Sequence, residues 1–421
     1  MTSQAEPEPP AWRNTAGLTL RRVRAQAILL ALCLWGVCAV DFATPGIFDR
    51  AGNIKFQDFL PLYVSARLIA DGRATELYNQ QVTANEMQSI VSQSNLVTLP
   101  NLYGPQVGIL FVPLSRLSFP AAARIWVTLS LLIYVASIYL IWRECPELRR
   151  HAGIVAISAA AFPPLFHFFV RGQISVLPLV CFTATFLALR RQREWLAGAA
   201  LGLLVLKPQF LVAIPFVLLL ARAWKAFGGL TLSAAAQLIF TNFYFGPEVM
   251  RLYLDTLWHA PRWITAVELS LAPIQMHSLR SFWSLLVPWP QVGFALYIIT
   301  SCVAVVIASV IWKSSEHLAL RFSALTLAAV LVNPHLFVYD LLVLAPVLLL
   351  LVDWTLTHPQ QSTSATFRLL LYLSFLLPML GPLSQWTHLQ VSVPIFVALL
   401  WTLRPTETAG HKLDSNECRV V

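Results

Sequence analysis

The stretch KFQDFLPLYVSARLIADGRATELY, residues 55–78, has the spacing of an amphipathic helix and follows the first long apolar segment of the chain. Charged residues make up only 12% of the chain, so the carboxylate of Asp58, just outside a membrane helix, needs a physical reason. One interpretation is that Asp58 is a catalytic base at a membrane surface. The alternative is structural, because an Asp that precedes FLPLYVSARL can also act as the N-cap of that helix.

The composition of the whole chain indicates a polytopic membrane protein. Of the 421 residues 57% are hydrophobic, and the 12% that are charged compare with roughly 25% in a soluble domain. The net charge of +9 does not predict nucleic-acid binding, because the basic residues form short groups between apolar segments, at 21–24, 149–150, 190–193 and 222–225. Such groups are typical of cytoplasmic loops and set the orientation of a chain in the bilayer.

The cysteines and the first apolar segment exclude two further classes. The six cysteines are scattered, without a CxxC pair or metal-ligand spacing, so the sequence predicts neither a disulfide framework nor a zinc site. No cofactor is expected, and the motifs give no reason to require a metal. The first apolar segment has no A-x-A-like cleavage site close behind it, which favours a retained membrane helix over a signal peptide.

Hydropathy divides the chain into one transmembrane domain, 25–403, between polar cytoplasmic tails at 1–24 and 404–421. A span needs about 20 apolar residues, and this length together with the Arg/Lys bias predicts about twelve spans with both termini cytoplasmic. The first extracytoplasmic loop, 43–118, contains two juxtamembrane helix candidates, about 59–71 and 76–94. They are followed by an apolar piece, YGPQVGILFVPLSRL, that is expected to lie in the membrane interface, and a second outer loop covers 247–288. The sequence therefore predicts an all-α membrane fold.

Helix breaks are expected where proline interrupts an apolar run, because proline disfavours helix in the residue before it. Two such places are Lys207-Pro208 and Asn333-Pro334-His335. The predicted topology puts both breaks at the outer face of the membrane, together with several polar residues that are distant in sequence. These residues are Asp58, Arg171, Lys207, His277, His335 and Asp340.

Charges near a membrane core are costly, by roughly 2.5–3.5 kcal/mol at a helix centre, so by default they mark function. Lys207 lies within an apolar stretch and is a candidate to bind a phosphate as a point charge; the alternative is that it snorkels toward lipid headgroups. Arg171 with Gln173 has a similar candidate role, or only anchors its helix at the interface. His335 with Asp340, and His277, are either ligand-binding or structural. Further residues that could line the site are Tyr103, His167, His259 and Trp263.

The pattern of motifs narrows the reaction class. The sequence contains no P-loop, GxGxxG, nucleophile elbow or HExxH motif, so nucleotide-driven chemistry has no support. A carboxylate and several cations at the outer face suit a reaction whose activated donor is a lipid phosphate, in a compartment without nucleotide sugars. A transporter or flippase of lipid-linked sugars is the alternative, since transporters also build sites at broken helices. The hydropathy of the two halves lacks the symmetry that many transporters have.

Four passages carry a family resemblance. DFLPLYVSARLIADGRATELY (58–78) has an Asp followed by a Gly-x-x-x-x-Leu-Tyr ending, and YGPQVGILFVPLSRLSFPAAARIW (103–126) follows it. A Gly-Gln to Lys-Pro-Gln passage occupies 172–209, and NPHLFVYDLLVLAPVLL occupies 333–349. Over roughly residues 25–350 the chain resembles glycosyltransferase family 87, the polyprenol-phosphate-mannose-dependent alpha-mannosyltransferases of the GT-C superfamily. Two departures are Tyr103-Gly104-Pro105, where the family has Tyr-Pro-Pro, and His277, where an Asn is common.

The resemblance implies a GT-C fold and an inverting transfer of a hexose, expected to be mannose. The donor would be a polyprenyl-phosphate sugar, and the acceptor a glycolipid or glycan on the extracytoplasmic side of a bacterial plasma membrane. Asp58 matches the catalytic acid of the first loop and is expected to act as general base. The residues expected to bind the donor phosphate are Lys207, Arg171 and His335, and those expected to bind substrate are Gln173, Gln209, His277, Asp340, Tyr103 and His167.

Overall fold

The computed structural model describes residues 20–91, 101–271, 275–358 and 365–404, with side chains left undescribed at 260–271. Within these ranges the chain is helical, and its only β-type pairings are two isolated bridges. The prediction of an all-α protein is confirmed for the described part of the chain.

The helices are numbered α1 to α19 in chain order. The first six run from the first span through the first loop to the second span; the next six include the bent and broken apolar segments; and the last seven form the C-terminal part. The bounds are α1 Leu20–Phe42, α2 Leu60–Ala70, α3 Gln80–Val91, α4 Pro105–Ile109, α5 Val112–Ser115, α6 Phe119–Trp142, α7 Ala152–Ala160, α8 Pro163–Arg171, α9 Val176–Arg190, α10 Glu194–Gly202, α11 Ile214–Leu220, α12 Trp224–Leu271, α13 Leu279–Leu286, α14 Pro290–Ser314, α15 Leu318–Leu331, α16 Leu344–Thr357, α17 Ala365–Leu376, α18 Ser384–Thr387 and α19 Ser392–Thr402.

The lengths and composition of these helices make the chain an integral membrane protein. Among the described residues five helical segments are long and apolar enough to cross a bilayer, or six if the bent pair α7–α8 forms one span. They are Leu20–Phe42, Phe119–Trp142, Pro290–Ser314, Val338–Thr357 and Ala365–Thr387, and several shorter apolar helices of 10–17 residues accompany them. The count of about twelve spans and the GT-C fold stay predictions.

Helices α2 and α3 form at the two amphipathic segments predicted near 59–71 and 76–94, in the first loop. The apolar piece that follows them, which was expected to lie in the membrane interface, folds as the short helices α4 and α5. The break at Lys207 is also present, between 3-10 turns at Leu203–Leu206 and Pro208–Val212. Proline lacks an N–H and clashes with the preceding turn, which explains why the helix stops there.

Helix α12 differs most from expectation. It continues from Trp224 to Leu271, so much of the segment expected as the second outer loop, 247–288, is helical. The backbone leaves helical geometry only at Gly246, with φ of 84°, and Pro247 then restarts the helix. Proline is favourable at the first position of a helix, so a Gly-Pro pair that looks like a stop signal also permits a kinked continuation.

The segment near 152–170, which was expected to be one outward-running helix, is likewise two helices. α7 ends at Ala160 and α8 begins at Pro163, and their axes differ in direction by 48°. The bend turns the end of α8, which carries Arg171, toward the first loop. The buried core beneath contains Phe182, Phe210 and Phe322, whose rings meet edge-on at centroid distances of 6.0 and 6.4 Å.

Candidate functional site

Asp58 lies in a 3-10 turn, Gln57–Phe59, immediately before α2. It does not cap the helix, since Phe59 occupies the N-cap position of α2 and no side-chain cap bond is present. The Asp58 carboxylate instead accepts a hydrogen bond from the side chain of Gln173. The structural alternative raised by the sequence, an N-cap role, is therefore not how this side chain is used.

A tight backbone contact places Asp58 next to Gln173. Gly172 ends α8 in the left-handed conformation, with φ of 70°, and Phe56 is also left-handed, with φ of 58°. A Cβ added at Gly172 would lie 2.8 Å from Cβ of Phe56, so the contact requires glycine. The indole N–H of Trp126 donates to the carbonyls of Gly172 (3.2 Å) and Gln173 (3.3 Å), which holds the turn against α6.

A first series of hydrogen bonds ends on Asp58. The Tyr103 hydroxyl donates to Oε1 of Gln173 at 3.3 Å, and the backbone N–H of Ile174 donates to the same oxygen at 3.2 Å. With Oε1 accepting both bonds, the amide nitrogen of Gln173 faces Asp58 and donates to Oδ2 at 3.0 Å. The other carboxylate oxygen, Oδ1, accepts no hydrogen bond from the part of the chain that the structure describes.

A second series of hydrogen bonds surrounds the Lys207 ammonium. Nζ forms a short ion pair with Oδ1 of Asp340 and donates to Oγ of Ser175 at 3.0 Å, while Ser175 donates to the same Asp340 oxygen at 2.7 Å. The side chains of Lys207 and Asp340 are only 2% and 1% exposed. The ammonium also lies 5.3 Å from the centroid of the Tyr339 ring. Lys207 is thus neutralised by a buried partner.

The two series of hydrogen bonds meet in one turn, because Gln173 and Ser175 are separated by a single residue. Charged groups of the second series also affect pKa values in the first. Burial raises the pKa of Asp58, and the negative charge of Asp340 adds to this, while the charges of Arg171 and Lys207 and the Gln173 bond oppose it. Burial also raises the pKa of Tyr103, with Asp340 and Asp58 adding to the effect, so its hydroxyl stays a neutral donor. A carboxylate with a raised pKa is a stronger proton acceptor than an ordinary one.

Arg171 is a cation whose charge acts on Asp58 and which has no partner among the described residues. It is the last residue of α8 and is half-buried, and its charge acts on Asp58. Within the described ranges its guanidinium forms no ion pair within 4.0 Å and no hydrogen bond. An unpaired guanidinium suits a phosphate, because its planar fork donates two parallel hydrogen bonds.

The predicted histidines form a neighbouring group. The ring of His277 is fully buried, with Nδ1 2.7 Å from the Ser392 hydroxyl, and its backbone N–H donates to Leu336 at 3.1 Å. Burial lowers the pKa of His277 to about 3, with His167 adding to the effect, so the ring is neutral. His335 is half-buried, and its ring contacts Phe337 edge-on at 5.1 Å.

The structure thus brings most of the predicted residues together, in two adjoining groups. The first group is built around the turn at 173–175, with Arg171 next to it. It consists of Asp58, Tyr103, Gln173, Lys207 and Asp340. The histidine group is joined to Asp340 through the segment 333–340, whose Phe337 donates its N–H to Oδ2 of Asp340 at 3.4 Å.

The remaining predicted residues are less closely connected. Gln209 is half-buried beside Lys207 and makes no hydrogen bond within the described ranges. His259 pairs with Asp255 at 3.3 Å on an exposed part of α12, and the side chain of Trp263 lies outside the described residues. Among the described residues no group of three or more His, Cys, Asp or Glu side chains has a metal-binding arrangement.

Sequence reasoning missed Ser175, Gln390 and Ser392. Ser175 joins Lys207 to Asp340, and Ser392 contacts His277. Serine and glutamine are common residues; Ser175 lies in the 172–209 passage but is not one of its defining residues, and Gln390 and Ser392 belong to no motif, so only their contacts reveal them.

Comparison with known proteins gives one match. A family model described as Glycosyltransferase family 87 matches residues 101–334, more than half of the chain. The matched range contains Tyr103, Arg171, Gln173 and Lys207, whereas Asp58 and Asp340 lie outside it. Searches of curated proteins and of solved structures found no match. This agrees with the resemblance seen in the sequence motifs: the chain belongs to glycosyltransferase family 87.

Proposed function

We propose that this membrane glycosyltransferase transfers a hexose, mannose in the first instance, from a polyprenyl-phosphate donor to a glycolipid or glycan acceptor. The observation that carries the proposal is that the charge of Arg171 acts on Asp58. Asp58 has a raised pKa, and among the described residues its Oδ1 accepts no hydrogen bond and the Arg171 guanidinium has no partner. A proton acceptor next to an anion-binding cation suits a transfer whose leaving group is a phosphate.

In the proposed reaction Asp58 acts as general base. Oδ1 accepts the proton of an acceptor hydroxyl while the hydroxyl oxygen forms a bond to the anomeric carbon of the sugar. The bond between that carbon and the donor phosphate oxygen breaks, and its electron pair leaves on the polyprenyl phosphate. Attack from the face opposite the phosphate inverts the anomeric centre.

Arg171 is the residue best suited to the charge that develops on the phosphate. Donors aimed at a developing charge in a buried site lower the barrier, because they need no reorganisation during the reaction. Lys207 was expected to have this role from the sequence, but its ion pair with Asp340 commits its charge elsewhere. We infer that Lys207 acts mainly by holding Ser175 and the turn at 173–175, with His335 as a second donor to the phosphate.

Three observations support the choice of a lipid-phosphate donor and of the extracytoplasmic side of the membrane. The motifs that bind nucleotide phosphates are absent from the sequence, the family is one of glycosyltransferases, and the fold offers a lipid-embedded setting. The expected location is the plasma membrane of a bacterium, with the site on the extracytoplasmic side and both termini in the cytoplasm. Family membership disfavours the transporter alternative.

A turnover assay in proteoliposomes tests the proposal. Purified protein receives labelled polyprenyl-phosphate-mannose and a pool of envelope lipids, and the Asp58→Asn variant is assayed in parallel. Asp71→Asn is the matched control, because Asp71 is an exposed acid at the end of α2 in the same loop. We expect a new labelled glycolipid from the native protein and the control, and none from Asp58→Asn. Undiminished turnover by Asp58→Asn would refute the general-base role.

A further inference from the structure

A second polar cluster lies beside the proposed base and phosphate site, where three distant segments meet. Met276 pairs with Phe337 in an isolated antiparallel bridge, and the N–H of His277 donates to Leu336 at 3.1 Å. From the other side the connection into α19 packs against the same segment. Gln390 donates its amide N–H to the Met276 carbonyl at 2.7 Å, and Ser392 contacts Nδ1 of His277 at 2.7 Å.

Three side-chain atoms of this cluster have no hydrogen-bond partner within the described ranges. They are Nε2 of His277, Oε1 of Gln390 and Nδ2 of Asn333, and all three side chains are 0% exposed. Buried polar groups are nearly always hydrogen-bonded, so three unpaired atoms on segments that contact one another point to a ligand. In each side chain the other polar atom makes a hydrogen bond that fixes its orientation: in Gln390 and His277 these are the bonds above, and Asn333 accepts the N–H of His335 at 2.9 Å.

The chemistry of these atoms selects the class of ligand. Gln390 offers an acceptor, Asn333 offers a donor, and the neutral His277 ring offers either, depending on its tautomer. An anion would be repelled by the Gln390 oxygen and would find no cation here. An apolar chain would leave all three atoms unpaired. A sugar hydroxyl both donates and accepts, so neighbouring hydroxyls of a hexose satisfy such a set.

We propose that His277, Gln390 and Asn333 bind hydroxyl groups of the transferred sugar, and that Ser392 positions His277 for this contact. The inference rests on the proposed function and deepens it by naming the residues that select the sugar. We place the entry of the sugar beside Pro334 and His335, which lie in the same break and are half-buried. The cluster adjoins the charged site through Phe337, whose N–H donates to Asp340.

The assignment also gives the connection into α19 and the start of that helix a role in sugar specificity. Gln390 and Ser392 lie beyond residues 101–334, the range that the family model matches. Of the three proposed sugar contacts, His277 and Asn333 lie within the matched range, whereas Gln390 and the positioning residue Ser392 lie outside it. Sugar selectivity is then set partly by residues that the family match does not include.

The test compares sugar selectivity among variants at Ser392 and Gln390. Ser392→Ala and Gln390→Leu are assayed with polyprenyl phosphates that carry mannose or its epimers glucose and galactose. Ser392→Thr keeps the hydroxyl and is the conservative rescue. Ser384→Ala is the matched control, because Ser384 is also a buried serine at a helix start but donates only to Gly381, at 2.7 Å.

We expect Ser392→Ala and Gln390→Leu to raise the donor KM and to reduce discrimination between epimers by about tenfold, the effect of losing one hydrogen bond to a substrate. The kcat should change less, and Ser392→Thr and Ser384→Ala should retain native selectivity. Unchanged selectivity and donor KM in both test variants would overturn the inference. So would an equal loss for every donor that Ser384→Ala also shows, since that pattern indicates a structural role.

A binding measurement separates this inference from the proposed function. Thermal protection of the detergent-solubilised protein is compared for polyprenyl-phosphate-mannose and for polyprenyl phosphate alone. We expect the sugar to add protection in the native protein and in Ser384→Ala, but not in Ser392→Ala or Gln390→Leu. If the native protein turns over no donor, the proposed function fails, and this difference in protection still decides the sugar contacts. An equal sugar contribution in all variants overturns them.

Discussion

The amide nitrogen of Gln173 donates a 3.0 Å hydrogen bond to Oδ2 of Asp58, although the two residues are 115 positions apart. This bond joins the first loop to the end of α8 and leaves the second oxygen of Asp58 free. It also opposes the rise in pKa that burial causes at the proposed base, because a donor to a carboxylate lowers its pKa. Gln173 is in turn oriented by Tyr103, so three separate segments define one carboxylate.

Removal of the Gln173 bond should shift the pH dependence of turnover. The pKa of Asp58 is already raised by burial, and the Gln173 bond opposes that rise. In Gln173→Leu we expect the pKa to rise further. A general base acts only when deprotonated. As the pH is lowered, the activity of Gln173→Leu should therefore start to decline at a higher pH than that of the native enzyme. At neutral pH we expect its kcat to be about tenfold lower. The measurement is a pH–rate profile with saturating donor.

Tyr103→Phe is the companion variant for this profile. It removes the 3.3 Å bond to Gln173 but leaves the bond from Gln173 to Asp58 in place. We expect a shift in the same direction and of smaller size. A profile unchanged in both variants would show that Asp58 does not limit turnover at acid pH.

Substitution of Arg171 should weaken donor binding and also lower the turnover rate. In Arg171→Gln the unpaired guanidinium is lost, and we expect the donor KM to rise about tenfold or more and kcat to fall, as phosphate charge is no longer stabilised. Arg171→Lys should recover part of the loss, because it restores charge without the planar fork. Arg150→Gln, at an exposed position with a loose ion pair, serves as the control. Equal KM values in all three variants would exclude Arg171 from the phosphate site.

The Lys207–Asp340 pair predicts a non-additive effect on stability. Either Lys207→Met or Asp340→Asn leaves one buried charge without its partner, which costs about 3–5 kcal/mol. The double variant leaves no uncompensated charge and should recover more than half of this loss. Tm values in detergent for the two single variants and the double variant form a double-mutant cycle. Additive losses would show that the residues do not act as a pair.

The same variants locate the phosphate contact. If Lys207 acts by holding the turn at 173–175, donor KM in the double variant should stay within a few-fold of the native value, while Arg171→Gln raises it. A double variant that folds and has lost donor binding would return the direct phosphate role to Lys207.

Gly172→Ala should damage the site through the backbone. The left-handed conformation costs a residue with Cβ about 1–2 kcal/mol, and the added carbon would meet Cβ of Phe56 at 2.8 Å. We expect a lower Tm and a larger loss of turnover, because Phe56 sits two residues before Asp58. Gly153→Ala is the control, since its Cβ would meet no atom within 4 Å in helical backbone. Turnover that survives Gly172→Ala would show that this contact does not position Asp58.

The sequence by itself determined the membrane class, the family and much of the helical framework. The spans at Phe119–Trp142 and Pro290–Ser314 and the breaks at Lys207-Pro208 and Asn333-Pro334 follow from apolar length and proline, which act over one or two turns. The same local reasoning failed at Gly246-Pro247, where a stop signal and a kinked continuation share one pattern.

Only the tertiary structure decided which polar groups pair. The sequence presented Lys207 as a free cation, and the fold places Asp340, 133 positions away, against it. The fold likewise places Gln173 against Asp58 and Ser392 against His277, and it leaves the Arg171 guanidinium without a partner among the described residues. These pairings depend on how bent and broken helices pack across the chain, and no periodicity within a single segment records that. Hydropathy places a residue at a depth in the membrane, whereas its partner is chosen by the packing of the helices around it.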